Sequence, residues 1–292
     1  SISLGLQRHS AIKTVGVCHG VLIGQALFAK VLGVDQDDLA CRAAGVNHLD
    51  WVLEVTNRQT GEQLLPEIME RINALPLPET PEQAHDMNTL RASAEAYRLF
   101  GAIPVPGDFH VTEFFPYFLR PGLDLFKAYG IRHNFVERRM EGKARYTQSI
   151  KGALAGTEAL PRPRGESIEK LDTMIVSMLT DRGAVLHLNI INNGAIENVM
   201  PDVCVEIPVR VDASGFNALH FGELPPAIAG WTNLLGTVQD LTVRAALEGD
   251  RQYALQALLL DPMCYHMEIG QVEAMLDEML EAQREHLPRF FG

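Results

Sequence analysis

The sequence has no basic stripe and no long apolar run, and each absence excludes a class of partner. The 292 residues carry a formal net charge of -12. No Lys/Arg-rich patch is present that can neutralise a phosphate backbone, so we expect no nucleic-acid partner. No window reaches the about 18 consecutive apolar residues that a membrane-spanning helix requires. We therefore expect no membrane partner.

Cysteine is also scarce, with four residues scattered through the chain. This distribution differs from that of a small secreted scaffold held by disulfides. The first twenty residues lack the basic, apolar and small-residue order of a secretory signal. These two absences predict a protein of the reducing cytoplasm.

Common catalytic motifs are missing as well. The sequence contains no G-x-G-x-x-G, no G-x-x-x-x-G-K-[ST], no H-E-x-x-H and no G-x-S-x-G. A dinucleotide-binding turn, a P-loop, a zincin helix and a nucleophile elbow are thus not encoded in this chain. Function must be sought in less common groupings of polar residues.

Apolar runs of strand length alternate with helical patterns, which predicts an α/β protein with α+β character. Strands are expected at 11–17, 39–46, 185–191 and 203–208, with an apolar run at 49–55, and helices at 21–32, 61–75 and 81–100. The chain from 225 onward has a helical pattern with breaks near Gly249 and Asp261. The segment 132–164 is polar and basic, and we expect it to be mobile or to form an interface.

Cys18 and His48 each follow an apolar strand-like run. If those strands are neighbours, both side chains can point into one cleft, and a thiolate with an imidazole is a plausible transition-metal site. The alternative is a buried thiol and a structural histidine, which is the commoner situation for any one Cys/His pair. The residues alone favour the alternative.

Asp108, His110 and Glu113 lie within six residues of each other in a segment rich in Pro, Gly and aromatic residues. Side chains that accept or donate protons at this density suit acid/base chemistry. A solvated turn in which Asp108 caps its own segment is equally compatible with the composition. The whole segment 101–122 is interpreted as a site loop.

Asn193 precedes a glycine at the end of a predicted strand, where an amide can bind a sugar hydroxyl or a dinucleotide carboxamide. An Asn-Gly pair is more often simply a turn. Trp51 and Trp231 can in principle stack on a sugar ring, but burial is the safer expectation.

Four ordered motifs resemble glycoside hydrolase family 4. They are VGVCHGV at 15–21, AGVNHLDWVLEV at 44–55, FGAIPVPGDFHVTEFFPYF at 100–118 and INNGAIENVMPDVCVEIPVRVDASG at 191–215, and ALEGDRQYALQALLLDP at 246–262 fits too. The resemblance runs over nearly the whole chain.

The resemblance implies a function for individual residues. It makes Cys18 and His48 the ligands of Mn²⁺ and Asp108 the catalytic base. It makes His19 a contributor to acid or substrate contacts of the type found in α-glycosidases and α-uronidases. The residues implied to contact substrate are Asn47, His110, Asn193 (substrate or cofactor) and Arg132.

The implied reaction is an NAD-assisted redox elimination, an exception to the two-carboxylate scheme of most glycosidases. NAD⁺ takes hydride from C3 of the sugar, a base removes the C2 proton, the aglycone leaves, and water and hydride are then added back. The substrates most similar to the pattern are α-galacturonides or α-glucuronides, for which His110, Arg120 and Arg132 are available partners of the carboxylate. Neutral α-glucosides or α-galactosides stay open.

The resemblance also implies a domain organisation. Residues 1–35 are expected to be a remnant of a Rossmann-like dinucleotide-binding domain, and 36–292 a C-terminal catalytic domain like that of lactate/malate dehydrogenases. A homodimer or homotetramer is expected. The alternative function is an inactive, truncated relative that acts as a sugar-binding or oligomerisation module. A dehydrogenase is disfavoured because no Arg-rich substrate loop is present.

Overall fold

A computed structural model describes residues 1–80, 90–131, 136–159 and 169–292. Helices flank one sheet on both faces. The α-helices are α1 (Ile2–His9), α2 (Gly20–Leu32), α3 (Leu65–Ala74), α4 (Arg91–Phe100), α5 (Asp108–Phe114), α6 (Leu125–Tyr129), α7 (Val136–Leu154), α8 (Leu171–Thr180), α9 (Pro226–Glu248), α10 (Arg251–Leu260) and α11 (Ile269–Ala282). None of these described helices combines the length and the apolarity that crossing a membrane takes.

The sheet has seven strands, and each pairing between the named strands is antiparallel. They are β1 (Gly16–Val17), β2 (Leu39–Val46), β3 (Leu49–Asn57), β4 (Ile103–Val105), β5 (Ala184–Ile191), β6 (Cys204–Asp212) and β7 (Gly215–Ala218). Their order is β1-β5-β6-β2-β3-β4, with β7 added on β6. The predicted mixture of helix and strand with α+β character is confirmed.

Strands β2 and β3 form a hairpin closed by two residues, Asn47 and His48. Val46 pairs with Leu49, and His48 takes a left-handed backbone with φ of 69°. A positive φ is uncommon for a residue with a β-carbon and concentrates at functional sites. The hairpin therefore presents the His48 side chain from a constrained turn.

A transverse row of residues crosses six strands near this turn. Gly16 pairs with Asn189, Asn189 with Glu206, Glu206 with Gly45, Gly45 with Asp50, and Asp50 with Val105. Residues directly opposite each other in antiparallel strands point to the same face of the sheet. The polar side chains of this row therefore share one face, and Gly45 stands between Glu206 and Asp50 in the row.

Helix α2 covers that face. Val21 and Phe28 of α2 pack with Ala43, Val52 and Val105 of the sheet in a buried apolar cluster. The helix approaches so closely that a β-carbon at Gly24 would overlap the Val105 side chain. This close packing brings the N-terminus of α2 over the polar row.

The opposite face forms the larger apolar core. Leu188 of β5 and Ile207 and Val209 of β6 are buried there against Ile228 and Leu235 of α9. The two faces thus differ: the buried core of one is mainly apolar, and the other carries buried polar groups at its α2 end.

Several predicted elements agree with the structure, and one strand is much shorter than expected. Strand 39–46 is confirmed to the residue, and helix 21–32 and strand 185–191 to within one residue. The strand expected at 11–17 is reduced to Gly16–Val17. The helix expected at 81–100 is present over Arg91–Phe100, and 81–89 lies outside the described residues. The segment 132–164, expected to be mobile or to form an interface, contains the α7 helix, which tests neither alternative.

One condition stated for the Cys18/His48 cleft is not met, and one further prediction was wrong. The strands before Cys18 and before His48 are not neighbours, because β5 and β6 lie between β1 and β2. The segment 101–122 is not simply a loop, because it contains β4 and α5. Val105, Val111 and Phe115 from this segment are buried. Its mixed pattern arises because short elements alternate there with proline and glycine.

Candidate functional site

Cys18 lies in the turn between β1 and α2, half-buried, with its sulfur facing the helix N-terminus. The backbone N–H of Gly20 donates to Cys18 Sγ over 3.3 Å. Burial, followed by the nearby charge of Glu206, raises the pKa of the thiol to about 11, while the Gly20 N–H and the Asn47 amide act in the opposite direction. Without a cation, the thiol form is therefore favoured at neutral pH.

His48 lies beside His110, with a ring-centroid distance of 4.3 Å. His110 in turn pairs through Nδ1 with Glu113 Oε2 at 3.0 Å. Burial, followed by the neighbouring His110, lowers the pKa of His48. A neutral imidazole is the form that binds a metal, so this environment favours a ligand role.

The amide of Asn47 connects the hairpin turn to the polar row of the sheet. Its Nδ2 donates to Glu206 Oε2 over 3.2 Å, and Asn189 Nδ2 donates to the same oxygen over 2.9 Å. Burial raises the pKa of Glu206, and these two amides oppose that shift. Glu206 Oε1 has no hydrogen-bond partner among the described residues.

Asp50 is fully buried on the same face, and within the described parts of the chain neither carboxylate oxygen has a hydrogen-bond partner. Burial, followed by the charge of Glu206, raises its pKa well above the ordinary value. The point that a β-carbon of Gly20 would occupy lies 3.5 Å from Cys18 Sγ and 3.7 Å from Asp50 Oδ2. The thiol, this carboxylate and the ring of Pro106 therefore all border the same point beside Gly20.

His19 is the N-cap residue of α2, next to Cys18. Its Nδ1 lies 3.2 Å from Glu169 Oε1, and its side chain is partly exposed. His19 is also close enough to His48 to contribute to the lowered pKa of that residue. The structure thus brings His19 together with Cys18, Asn47, His48 and His110.

Asp108 has different surroundings. It is 2% exposed, and its carboxylate accepts hydrogen bonds from the backbone N–H groups of Arg91 and Ser93 and from Ser93 Oγ, at 2.8 to 2.9 Å. The carboxylate therefore caps the start of α4. Three donors thus hold this carboxylate at the start of α4. The role of Asp108 as base stays a prediction.

Asn193 is not brought to this site. It follows the end of β5, is exposed, and lines a surface cavity with Ser10, Lys13 and Ser214. In the turn after β5, the side chain of its neighbour Asn192 is buried instead. Arg132, the other predicted substrate contact, lies outside the described residues.

The two tryptophans serve packing, as expected. Trp51 is fully buried against the rings of Phe100 and Phe115, with centroid distances of 5.3 and 5.9 Å. Trp231 packs on Phe115 at 4.7 Å.

The motif order, the fold and this cluster agree with a match to a family model. The description of that model is "Family 4 glycosyl hydrolase C-terminal domain", and it matches residues 43–264.

The chain belongs to glycosyl hydrolase family 4.

Relatives of this family 4 chain include enzymes of more than one specificity. It is 26% identical over 285 residues to an α-galactosidase of Bacillus subtilis and 28% identical over 298 residues to an α-galactosidase of Rhizobium meliloti. It is 23% identical over 295 residues to an α-galacturonidase of Bacillus subtilis. These matches cover 97%, 97% and 92% of this chain, but 63%, 57% and 62% of the respective relatives. The chain thus spans about three-fifths of their length.

Solved structures show the same fold. The Bacillus subtilis protein lplD superposes with a TM-score of 0.82 at 22% identity, over 94% of this chain and 64% of that one. A 6-phospho-α-glucosidase from gut microorganisms, in complex with NAD and Mn²⁺, superposes with a TM-score of 0.75 at 21% identity, over 94% and 62%.

The residues of this family 4 domain fit a divalent cation in part. Within the described ranges, no three His, Cys, Asp or Glu side chains are drawn tightly enough around one point to hold a metal. Cys18 and His48 nevertheless supply a thiolate and an imidazole at one end of the sheet. The space beside Gly20, which Cys18 Sγ and Asp50 Oδ2 both border, adds room for an ion. An ion held by two protein ligands keeps positions open for substrate oxygens.

Three residues of this site were missed from the sequence: Asp50, Asn189 and Glu206. Each lies inside an otherwise apolar strand, in LDWVLEV, LHLNII and VCVEIPV. A polar residue that a strand pattern places on a buried face needs a partner or a function. That signal was present, but it does not tell which strands lie side by side.

Proposed function

We propose that this chain is the metal- and substrate-binding part of a family 4 α-glycosidase that works with NAD⁺ and Mn²⁺. The observation that carries the proposal is the convergence of Cys18, His19, Asn47, His48 and His110 at one end of the sheet, although the strands leading to Cys18 and His48 are separated by two others. The α-galactosidases and the α-galacturonidase among the relatives support the reaction class. The neighbour in complex with NAD and Mn²⁺ supports the cofactors.

Cys18 and His48 would hold the metal. When bound there, the cation supplies a positive charge that polarises hydroxyl and carbonyl oxygens of the sugar, and NAD⁺ supplies a hydride acceptor. Asn47 holds Glu206 through its amide and thereby fixes the hairpin turn from which His48 projects. His19 borders the same space from the N-terminus of α2.

Proton transfer is best assigned to His110. Its ring lies against His48, and Glu113 fixes its Nδ1 at 3.0 Å, so that Nε2 is the nitrogen left to act on substrate. Asp108, two residues earlier, anchors the segment by capping α4. We therefore give Asp108 the task of positioning His110, in place of the role as base that the resemblance implied.

For the substrate we propose an α-galactoside or an α-galacturonide. Both appear among the names of the relatives, and His110 is available to hydrogen-bond a hydroxyl or to pair with a carboxylate. The metal-binding role of Cys18 requires a reduced thiol, which is consistent with the proposed cytoplasmic location. A homodimer or homotetramer stays part of the proposal.

The proposal is tested with α-galactosides and α-galacturonides that carry deuterium at C2. The chain is supplied with the dinucleotide-binding segment of a family 4 relative and incubated with each substrate in the presence and absence of NAD⁺ and Mn²⁺, with the β-anomers as controls. We expect aglycone release only with both cofactors, accompanied by loss of the C2 deuterium to water. Release without NAD⁺, with the label retained, would contradict the redox route. Sugar binding without any turnover would favour a sugar-binding module.

A further inference from the structure

Glu206 lies in the buried polar row and is held by two amides. Its side chain is fully buried, and one oxygen, Oε2, accepts hydrogen bonds from Asn47 Nδ2 at 3.2 Å and from Asn189 Nδ2 at 2.9 Å. Asn189 stands opposite Glu206 in the strand register, whereas Asn47 reaches it from the turn between β2 and β3. The carboxylate therefore connects the interior of the sheet to that turn.

The bond from Asn47 determines which end of its amide is left for other contacts. An ionised carboxylate only accepts hydrogen bonds, so the NH2 group of the amide must face Glu206 and Oδ1 must be directed elsewhere. A protonated carboxyl would impose the same direction, because Oε2 already accepts two N–H groups and the proton would sit on Oε1. The two ends of an asparagine amide have nearly the same size, so packing alone does not set this direction. Glu206 therefore sets the polarity of the Asn47 side chain.

The Asn47 amide borders the cluster at the end of the sheet. Asn47 is half-buried, precedes His48 in the turn, and is close enough to Cys18 to act on the pKa of that thiol. The Asn189 amide, by contrast, is buried within the sheet. Of the two amides that Glu206 holds, the one from Asn47 is thus placed to meet a ligand, with Oδ1 as the atom left to accept a hydrogen bond.

We propose that Glu206 is a positioning residue for sugar binding: it directs Oδ1 of Asn47 away from the sheet, where this oxygen accepts a hydrogen bond from a sugar hydroxyl. The inference rests on the proposed function, since it assumes that a sugar binds at this end of the sheet. Glu206 acts through Asn47 and does not touch the sugar, because its own side chain is fully buried. Since Oδ1 only accepts, the contact favours a hydroxyl over an ether oxygen at the same position of the sugar.

The test measures the binding of methyl α-galactoside and methyl α-galacturonide to the reduced chain by calorimetry. Glu206→Met removes the acceptor at a similar side-chain length, whereas Glu206→Gln keeps an acceptor oxygen without the charge. We expect Glu206→Met to weaken sugar binding at least about 5-fold, the effect of losing one well-placed hydrogen bond, and Glu206→Gln to weaken it less than about 2-fold. Equal weakening in the two variants would assign the effect to charge and overturn the positioning role.

A double-mutant cycle separates this role from a general loss of structure. Asn47→Ala should weaken sugar binding by a factor similar to that of Glu206→Met. The combined variant should bind no more weakly than Asn47→Ala, because Glu206 acts through Asn47. Factors that multiply in the combined variant would contradict the inference, since independent effects combine in that way.

The side-chain NH2 signals of the chain with isotope-labelled asparagine give an NMR measurement that needs no sugar. The Asn47 signals are assigned by their loss in Asn47→Ala. In the parent and in Glu206→Gln their protons should exchange with water more slowly than those of the exposed Asn193, and in Glu206→Met they should not. If Glu206→Met does not fold, the parent decides: Asn47 protons that exchange as fast as those of Asn193 would overturn the inference.

The outcomes separate the two proposals. Parent-like sugar affinity in Glu206→Met would overturn the role of Glu206 and leave the proposed function standing. A parent chain that binds neither sugar would overturn both.

Discussion

Asn192 should be among the residues most important for stability, whereas its neighbour Asn193 should not. The Asn192 side chain is fully buried in the turn after β5. Its Nδ2 donates to the carbonyls of Ile196, Val199 and Met200 at 2.9, 2.8 and 3.2 Å, and its Oδ1 accepts from the Ile196 N–H at 2.7 Å. One amide therefore determines the course of residues 192–200.

The expected cost of Asn192→Ala follows from these bonds. Each contributes about 0.5 to 1.5 kcal/mol net, and the buried Ile196 N–H would be left without an acceptor at a further cost of about 1 to 3 kcal/mol. The free energy of unfolding should therefore fall by at least roughly 3 kcal/mol. Asn192→Asp should cost at least as much, because a carboxylate would face three carbonyl oxygens.

Asn193→Ala is the matched control. Its side chain is exposed and its φ is 44°, so the change should cost only about 1 kcal/mol for a left-handed residue other than asparagine. Urea unfolding followed by circular dichroism measures both variants. The reasoning is refuted if Asn192→Ala costs less than about 1 kcal/mol, or if Asn193→Ala costs more than Asn192→Ala.

Three further predictions concern the site and its support. Gly20→Ala should weaken Mn²⁺ binding in calorimetry without loss of stability, because its β-carbon enters the space beside Cys18 at ordinary contact distances. In Gly24→Ala, one turn later, the added β-carbon overlaps Val105. This variant should lose about 1 to 3 kcal/mol of its free energy of unfolding and keep its Mn²⁺ binding. Asp108→Asn should lower the free energy of unfolding by about 1 to 3 kcal/mol, because it disrupts the cap of α4. A variant that keeps its full stability but loses activity would instead support Asp108 as the catalytic base. Burial lowers the pKa of His187 from 6.5 to about 4, so the unfolded chain binds a proton at this residue more readily than the folded chain does. The free energy of unfolding should therefore fall as the pH drops from about 6.5 to 4, by at most about 1.4 kcal/mol per pH unit. An unchanged pH dependence of stability in His187→Gln would contradict this.

The sequence predicted local structure well where the residues of one helix or strand are enough to determine its bounds. Strand β2 reads as an apolar run between a turn-forming stretch and the Asn47-His48 turn, and its bounds were predicted to the residue. Helix α2 was predicted because its apolar character and the glycine after it set its length. The pairing of Cys18 with His48 as metal ligands stays a prediction, and the strands that lead to the two residues are not neighbours.

Non-local pairing could not be predicted. That β5 and β6 insert between β1 and β2 depends on contacts between residues more than 100 positions apart. The row that brings Asn189, Glu206 and Asp50 to one face follows from that insertion. The hydrogen bonds to Asp108 were not predicted for a similar reason, because their donors come from α4, which the local pattern does not connect to this residue.

The most direct test of the account is a calorimetric titration of the reduced parent chain with Mn²⁺ alongside Cys18→Ser and His48→Ala. Both positions are half-buried, and each change removes one proposed ligand with little effect on the core. The account predicts saturable binding at one site in the parent and loss of that binding in both variants, with circular dichroism spectra unchanged. Equal binding in all three proteins, or no binding in the parent, would contradict it.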